Sequence, residues 1–447
     1  MNLPKLENCT IGIIGLGYVG LPLCVEFSEV KKCIKTNNQL NRKVIGFDVN
    51  LLRLKELKEC VDRTNEVDED KLKRNININY VSDEETLQDA DVFIVTVPTP
   101  IDKSKRPDLS FLIKATETVS RAISLYKKKY FNKNPIVIYE STVYPGVTDE
   151  ICIPLIESNT GFKINIDFGC GYSPERINPG DKVRKLKDIV KVTSGSSEEV
   201  ALWIDNLYSS IIKAGTYSAS SIKVAEASKV IENAQRDINI AFVNELSMVF
   251  NRMNIDTLDV LDAASTKWNF MKFKPGIVGG HCIGVDPYYL SFKSEELDYH
   301  PQVLTAGRRI NDLWGNWAAE QLVLHMARVG KIVKDSEILI LGFTFKENCP
   351  DIRNSRVEDI IKTLRSFGVK VEVIDPLANL NEVFDNYQLK ISNQFSQSKK
   401  FDAIICAVAH NQFKNMSPKN WNSLIKKDGI FYDLKGIIPR ELNPIRI

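Results

Sequence analysis

The chain has 447 residues, 43% of them hydrophobic and 26% charged, with a formal net charge of +2. That length suggests two to four domains with ample cores, and so small a charge gives no bulk field for nucleic acid or a membrane surface. Nine cysteines, none in a Cys-x-x-Cys pair, and four scattered histidines argue against a disulfide framework and a zinc site. The opening "MNLPKLENCT" lacks the apolar core of a signal peptide, and no apolar run reaches the roughly 18 residues of a spanning helix, so a cytoplasmic, reducing compartment is expected.

The first segment, "CTIGIIGLGYVGLPLCVEFSEV", reads as strand, glycine loop and helix, with Gly15, Gly17 and Gly20 in Gly-x-Gly-x-x-Gly spacing. A polar, basic stretch, Lys31–Lys43, reads as a solvated surface insertion. "KVIGFDVN" is a second strand ending at Asp48, and "ADVFIVTVPTP" and "NPIVIYESTVYPG" are later buried strands. Strands alternating with helical patterns predict a parallel, doubly wound sheet. From Ser218 to Met253 there is neither Gly nor Pro, which predicts one helix about 50 Å long at 1.5 Å per residue. Its apolar residues fall on more than one face (Val224, Ala227, Val230, Ile231, Ile238, Phe242, Leu246, Val249), so it is expected to lie buried between domains and to form a dimer interface. The last segment repeats the first in outline: "SEILILGFTF", then a helix, then "VKVEVIDP" ending in Asp375, then "FDAIICAVAH". The expected fold is α/β, with two Rossmann-like doubly wound parallel-sheet domains joined by a long central helix and a helical domain. The boundaries predicted are 1–212, 213–325 and 326–447.

The glycine loop, between a strand and a helix and followed by a strand ending in an acid, suits a dinucleotide. Backbone amides at a helix N-terminus approach the pyrophosphate, and Asp48 accepts from the adenosine ribose hydroxyls. A carboxylate there repels a 2′-phosphate, which favours NAD over NADP. Asp48 lies farther from Gly20 than the usual ~20 residues, and the basic insertion accounts for the excess. Lys229 and Asn233, at i and i+4, share one helix face; they are either solvated surface residues or a pair that stabilises an oxyanion and positions water. Glu175, in "GYSPERINPGD", is either a loop carboxylate paired with Arg176 or Arg184 or a site group. Cys282, in "GIVGGHCIGVDPYYL", is either a buried small hydrophobe or a thiolate made reactive by a cation such as Lys229; no spaced partners support metal. Gly279, Gly280 and Gly284 suit the close approach of a ligand. Asp286 is a loop carboxylate or a proton acceptor, and His281 is read as structural. "GFTFKENCPDIRNSR" gathers Lys346, Arg353 and Arg356 before a helix, either as a charged helix start or as a phosphate or sugar contact.

Taken together, "IGIIGLGYVGLPL", "VPTP", "YESTVYPG", "YSPERINPGD", "EASKVIENAQRDINIAFVNE", "GGHCIGVDPYYL" and "GFTFKENCPDIRNS" resemble the UDP-glucose/GDP-mannose dehydrogenase family along nearly the whole chain. The wording of the later stretches is most similar to the UDP-N-acetylhexosamine 6-dehydrogenases, notably the Vi-polysaccharide type that oxidises UDP-GlcNAc, and to the UDP-GalNAc enzymes. The resemblance implies a four-electron oxidation of the sugar C6 alcohol to a carboxylate with two NAD, for surface polysaccharide synthesis. Cys282 would form a thiohemiacetal and then a thioester. Lys229 and Asn233 would stabilise C6 oxyanions and hold water, Asp286 would support proton transfer, Glu175 would assist thioester hydrolysis, and Thr142 would lie near the nicotinamide. The implied NAD contacts are Gly15, Gly17, Tyr18, Val19, Gly20, Asp48, Arg53, Val97, Pro98, Thr99, Ser141, Thr142, Glu175 and Arg353. The implied substrate contacts are Arg176, Lys229, Asn233, Lys346, Gly279, Tyr288 and Arg308. Tyr288, Tyr289 and Arg308 are the candidates for reading the C4 hydroxyl. Neither metal, nucleic acid nor membrane is implied, and at least a homodimer is.

Two positions depart from the UDP-glucose enzymes: Pro179 stands where they carry a second acid, and Val285 where they tend to carry Lys. Both point toward an N-acetylated sugar. The alternatives are UDP-GalNAc, then UDP-ManNAc or UDP-glucose; a catalytically silent nucleotide-sugar-binding protein; and a two-electron alcohol dehydrogenase, which would leave Cys282 unexplained.

Overall fold

Short β-rich apolar runs, each closed by turn residues, become the strands of a parallel sheet. This is a computed structural model, and it describes every residue except 76, 103, 178–183, 281–282 and 397–398. Strands β1 (Thr10–Ile14), β2 (Lys43–Phe47), β3 (Asn79–Val81), β4 (Val92–Val95), β5 (Ile136–Tyr139) and β6 (Gly169–Tyr172) form a sheet in the order β3-β2-β1-β4-β5-β6, and every pairing in it is parallel. On one face Ile11, Ile13, Val92, Ile94, Ile136 and Ile138 pack with Cys24 and Phe27 of helix Gly20–Glu29 and Val200 and Ile204 of helix Glu198–Ser209. The opposite face meets helix Ser110–Lys129, where the Thr116 hydroxyl lies 3.0 Å from that of Tyr139. Cover on both faces is why these strands read as continuous apolar runs rather than as alternation. A two-stranded parallel ladder joins β7 (Lys191–Thr193) to β8 (Thr216–Ser218).

The described chain divides into two units: Met1–Glu232 with Tyr288–Leu297, and Asn233–Pro287 with Asp298–Ile447. The long helix runs from Ile222 to Arg252, starting four residues later than the sequence predicts. Ser218 is held in β8, and the Ser221 hydroxyl accepts from the Val224 amide at 3.2 Å, as a helix cap does. Nor is the helix buried on several sides. Ala225, Val230, Ala234, Ala241 and Val243 are inside, whereas Val224, Ile231, Phe242 and Val249 are exposed. The Lys31–Lys43 stretch is largely surface, as expected, but it is pinned. Cys33 and Leu40 are buried, and Arg42 donates to the Leu6 carbonyl and the Ser210 hydroxyl, both at 2.7 Å.

In the second unit β9 (Glu337–Leu341), β10 (Lys370–Ile374), β11 (Phe401–Cys406), β12 (Ile425–Asp433) and β13 (Ile445–Arg446) form a parallel sheet in the order β10-β9-β11-β12-β13. It repeats a detail of the first sheet. Gly15 after β1 and Gly342 after β9 both have φ +94°. The acid closing the neighbouring strand then takes the next amide: Asp48 from Leu16 at 2.8 Å, Asp375 from Phe343 at 2.6 Å. The two units differ beyond that glycine. The first enters its helix at Gly20, whereas the second runs through a long loop before helix Val357–Ser366. His410 pins this loop: its Nδ1 accepts from the Asn348 amide at 3.0 Å, and its Nε2 lies 3.0 Å from Asp375 Oδ2 and 3.1 Å from the Thr344 hydroxyl. An acceptor at Nδ1 leaves the ring proton on Nε2. Burial alone would raise the Asp375 pKa, but His410 and the Phe343 and Thr344 amides outweigh it and hold the carboxyl well below its usual range.

Candidate active site and cofactor seat

The sheet order reverses between β1 and β4, and ligands of open α/β sheets bind beyond the carboxyl ends of strands at such a switch point. The residues found there follow the sequence reading. A Cβ on Gly20 would stand 1.9 Å from the Gly15 carbonyl oxygen and 2.5 Å from the Thr96 hydroxyl, so only glycine lets the helix start this close to the loop. Thr96, which the sequence reading missed, locks the loop by donating to the Gly15 carbonyl at 2.6 Å. Gly17 is the opposite case: a Cβ there would meet no atom within 4 Å. Asp48 also accepts from the Asn50 amide at 2.8 Å, and it keeps acceptor capacity for ribose hydroxyls. Arg53 donates to the Leu16 carbonyl at 2.9 Å and pairs with Asp62 at 2.8 Å, while its other terminal nitrogen, Nη1, is buried without a hydrogen-bond partner. An open amide-lined loop, an acid at the end of β2 and an orphaned guanidinium donor fit a dinucleotide pyrophosphate and its ribose. The loops after β4 and β5 are laced together. Ser141 donates to the Val97 carbonyl and Thr99 to the Thr142 carbonyl, both at 2.6 Å, and the Tyr289 hydroxyl donates to the Thr99 carbonyl. Pro98 is exposed, Tyr18 and Thr142 are half-buried, and Val19 is buried.

Glu175 is buried, but its cation is neither Arg176 nor Arg184. Its Oε1 accepts the Arg176 and Ile177 amides at 2.6 and 2.7 Å, and its Oε2 accepts Lys191 Nζ at 2.9 Å. The Arg176 guanidinium pairs instead with Glu232. Lys191 also donates to Glu140 at 2.6 Å, and Tyr208 donates to the other Glu140 oxygen. Burial pushes Glu140 up to about 7, against the opposing pull of Lys191. Neither Glu140 nor Lys191 was visible as a site residue, because a lysine inside an apolar strand and a glutamate before "ST" have no motif of their own.

On the long helix Lys229 and Asn233 lie one turn apart, and both are buried, which rules out the solvated-surface reading. In the second unit Asn233 donates through its side-chain nitrogen to Asp286 Oδ2 at 2.5 Å, and Arg236 donates to the Asn233 side-chain oxygen Oδ1 at 3.2 Å. Two candidates far apart in sequence are thus one buried pair, 5% and 1% exposed. His281, Cys282 and Pro179 lie outside the described residues. The glycines before Cys282 are explained by the chain itself. A Cβ on Gly279 would stand 2.6 Å from the Asn354 carbonyl oxygen, and one on Gly280 (φ +85°) 2.9 Å from the Phe345 ring. Gly280 N donates to the Arg353 carbonyl at 3.2 Å, and Asn354 donates to the Gly280 carbonyl at 3.1 Å. The loop bearing Lys346 and Arg353 therefore packs directly on the turn that leads to Cys282.

Some expected contacts are engaged elsewhere. Arg308 is buried between Asp237 and Asp312, which leaves it a poor reader of a sugar hydroxyl. The Tyr289 hydroxyl is used on Thr99, whereas Tyr288 is half-buried with the Lys105 ammonium 5.0 Å from its ring centre. Arg353 pairs with Asp351, and Arg356 with Asp312 and Asp359. Lys435, after β12, was missed: its ammonium lies against Gly276, where a Cβ would come within 2.6 Å. Burial lowers its pKa, against the pull of Glu347.

Glu226, on the long helix, is also buried. It accepts from the Gly146 and Thr148 amides at 2.5 and 2.9 Å, and so holds the "VYPG" loop. Burial raises its pKa from 4.5 to about 7, with those amides pulling the other way. The native state therefore binds this proton more tightly than the unfolded chain does. Its contribution is complete below pH 4.5 and is lost as pH rises through about 7. Melting temperatures of the parent and of Glu226→Gln across that window should converge toward the acid side and diverge toward neutral pH, the parent losing the more; parallel curves would contradict this.

Three successive domains of one family match the chain. The NAD binding domain of the UDP-glucose/GDP-mannose dehydrogenase family matches residues 9–212, its central domain residues 223–313, and its UDP binding domain residues 339–440. The chain belongs to the UDP-glucose/GDP-mannose dehydrogenase family. It is an NAD-dependent nucleotide-sugar dehydrogenase. Within the family it is 50% identical over 442 residues to the UDP-N-acetyl-D-glucosamine 6-dehydrogenase of Salmonella typhi, covering 99% of each chain. It is 48% identical to the Pseudomonas aeruginosa protein of the same name, covering 99% of this chain and 100% of that one. Among solved structures it is similar to the UDP-D-ManNAc dehydrogenase of Pyrococcus horikoshii, at TM-score 0.81 and 27% identity over 96% of each chain. Among the described residues no helix is long and apolar enough to cross a membrane, and no group of side chains is placed to hold a metal ion.

Proposed function

We propose that the chain oxidises UDP-N-acetylglucosamine at C6 to the uronate, through a thioester on Cys282, in the synthesis of a surface polysaccharide. The observation that carries the choice of sugar is the end-to-end similarity, near 50% identity, to two relatives bearing that activity in their names. NAD, when bound over the Gly17 opening, supplies the hydride acceptor. Lys229 stabilises the C6 oxyanion, and the Asn233–Asp286 pair holds water and takes up a proton. Thiol addition to the C6 aldehyde gives a thiohemiacetal, whose oxidation leaves a thioester. Water then cleaves the thioester with Glu175 as hydrogen-bond acceptor, releasing the acid and the thiol. Lys346 and Lys435 are assigned to the UDP phosphates and Tyr288 to the sugar side.

The three functional segments are read as 1–212, 213–325 and 326–447. The assembly is read as a dimer through the long helix, supported by the exposed residues Val224, Ile231, Phe242 and Val249, whose spacings keep them on one side of a 3.6-residue helix, with exposed Met253 just past its end. A cytoplasmic setting is read from the sequence, whose nine scattered cysteines do not form the pattern of a disulfide framework. The second reading, UDP-GalNAc, differs by one hydroxyl. Initial rates with the two sugars side by side test the choice: kcat/KM should favour UDP-GlcNAc by about tenfold or more, the discrimination one well-placed hydrogen bond provides. A preference for UDP-GalNAc would replace the substrate and leave the chemistry standing.

A further inference from the structure

Lys191 is 3% exposed, and lysine is rarely buried so deeply unless paired. Its two partners come from the ends of neighbouring strands: Glu140 follows β5 and Glu175 follows β6. Stability is a weak reason for such a cluster, since buried ion pairs are often replaceable by apolar side chains at no loss. The loops it bridges carry Thr142, which the family resemblance puts near the nicotinamide, and Glu175, which the proposed function gives to thioester hydrolysis. We propose that Lys191 is a positioning residue for thioester hydrolysis, fixing the Glu175 carboxylate in one orientation as a hydrogen-bond acceptor.

A carboxylate offers about four acceptor sites. In Glu175 the Arg176 and Ile177 amides fill the two on Oε1, and Lys191 fills one on Oε2. One site on Oε2 is left, with a direction set by the other three donors, and a single water hydrogen fits it. Glu140 and Tyr208 hold the lysine from behind, so the ammonium cannot follow Glu175 if that loop shifts. The inference rests on the proposed role of Glu175.

The test uses the full chain with NAD and UDP-GlcNAc, following NADH by stopped flow and the protein by intact mass. The first variant is Lys191→Met/Glu140→Gln, which removes one of the two buried carboxylates along with the cation and leaves Glu175 held by the Arg176 and Ile177 amides alone. It should bind NAD like the parent and release a rapid burst of two NADH per site. Steady-state kcat should then fall about tenfold or more with little change in KM, and the acyl-enzyme should accumulate. Glu175→Gln should show the same burst. Parent-like turnover in the double variant, with acyl-enzyme accumulating only in Glu175→Gln, overturns the role of Lys191 and keeps that of Glu175. No accumulation in Glu175→Gln removes both. If the double variant does not fold, Lys191→Arg decides. It retains the charge but moves the donor, and it should slow the same step by a smaller factor; an unchanged burst and kcat would overturn the proposal.

Discussion

Replacing Cys282 by Ala is expected to abolish uronate formation while NAD binding stays near that of the parent. In the proposed route its thiol holds the half-oxidised sugar covalently between the two hydride transfers. Loss of such a nucleophile costs on the order of a thousandfold or more in turnover. The cofactor seat is built from Gly15 to Gly20, Asp48 and Arg53, all in the first unit, whereas Cys282 follows a turn packed on the 342–356 loop of the second. NAD titration by fluorescence and uronate by chromatography separate the two effects. Full acid production by the variant would remove Cys282 from the chemistry.

Two glycines of one loop should fail in opposite ways. In Gly20→Ala the methyl group collides with the Gly15 carbonyl oxygen at 1.9 Å, a backbone atom, and with the Thr96 hydroxyl at 2.5 Å, which is itself tied to that carbonyl. Overpacking of this kind costs roughly 1–3 kcal/mol or more, so the melting temperature should drop. In Gly17→Ala the methyl group meets nothing within 4 Å, so the fold should melt like the parent. That space is where the pyrophosphate must come close to the amides, so the KM for NAD should rise about tenfold or more, a loss of roughly 1.4 kcal/mol. A Gly17→Ala enzyme with parent affinity for NAD would place the cofactor elsewhere.

Much of this was legible in the residues. Strand–glycine–helix punctuation located β1 and the cofactor loop, and the parallel between Asp48 and Asp375 survives as two matching amide contacts. Helical spacing and the Gly-rich turn single out Lys229, Asn233 and Asp286 in the sequence, and two of them form one hydrogen-bonded pair. What the sequence hid was partnership across distance. Glu175 was expected to pair with a nearby arginine, but the lysine that reaches it lies on a different strand. The apolar faces of the long helix predict burial between domains and a dimer interface, yet periodicity cannot tell which face the same chain covers, and Val224, Ile231, Phe242 and Val249 are left exposed. The glycines near Cys282 suggested a ligand, and Asn354 and Phe345 occupy the space instead. Arg308 looked like a sugar contact because charge is visible in sequence, while Asp237, which neutralises it, was not recognisable as its partner.

The central claim is a four-electron oxidation that passes through a covalent thioester. Its most direct test is the yield of NADH, by absorbance, from limiting UDP-GlcNAc in excess NAD. The account predicts two NADH per sugar, with the uronate as product. One NADH per sugar, with release of an aldehyde, would contradict it and return Cys282 to a packing role.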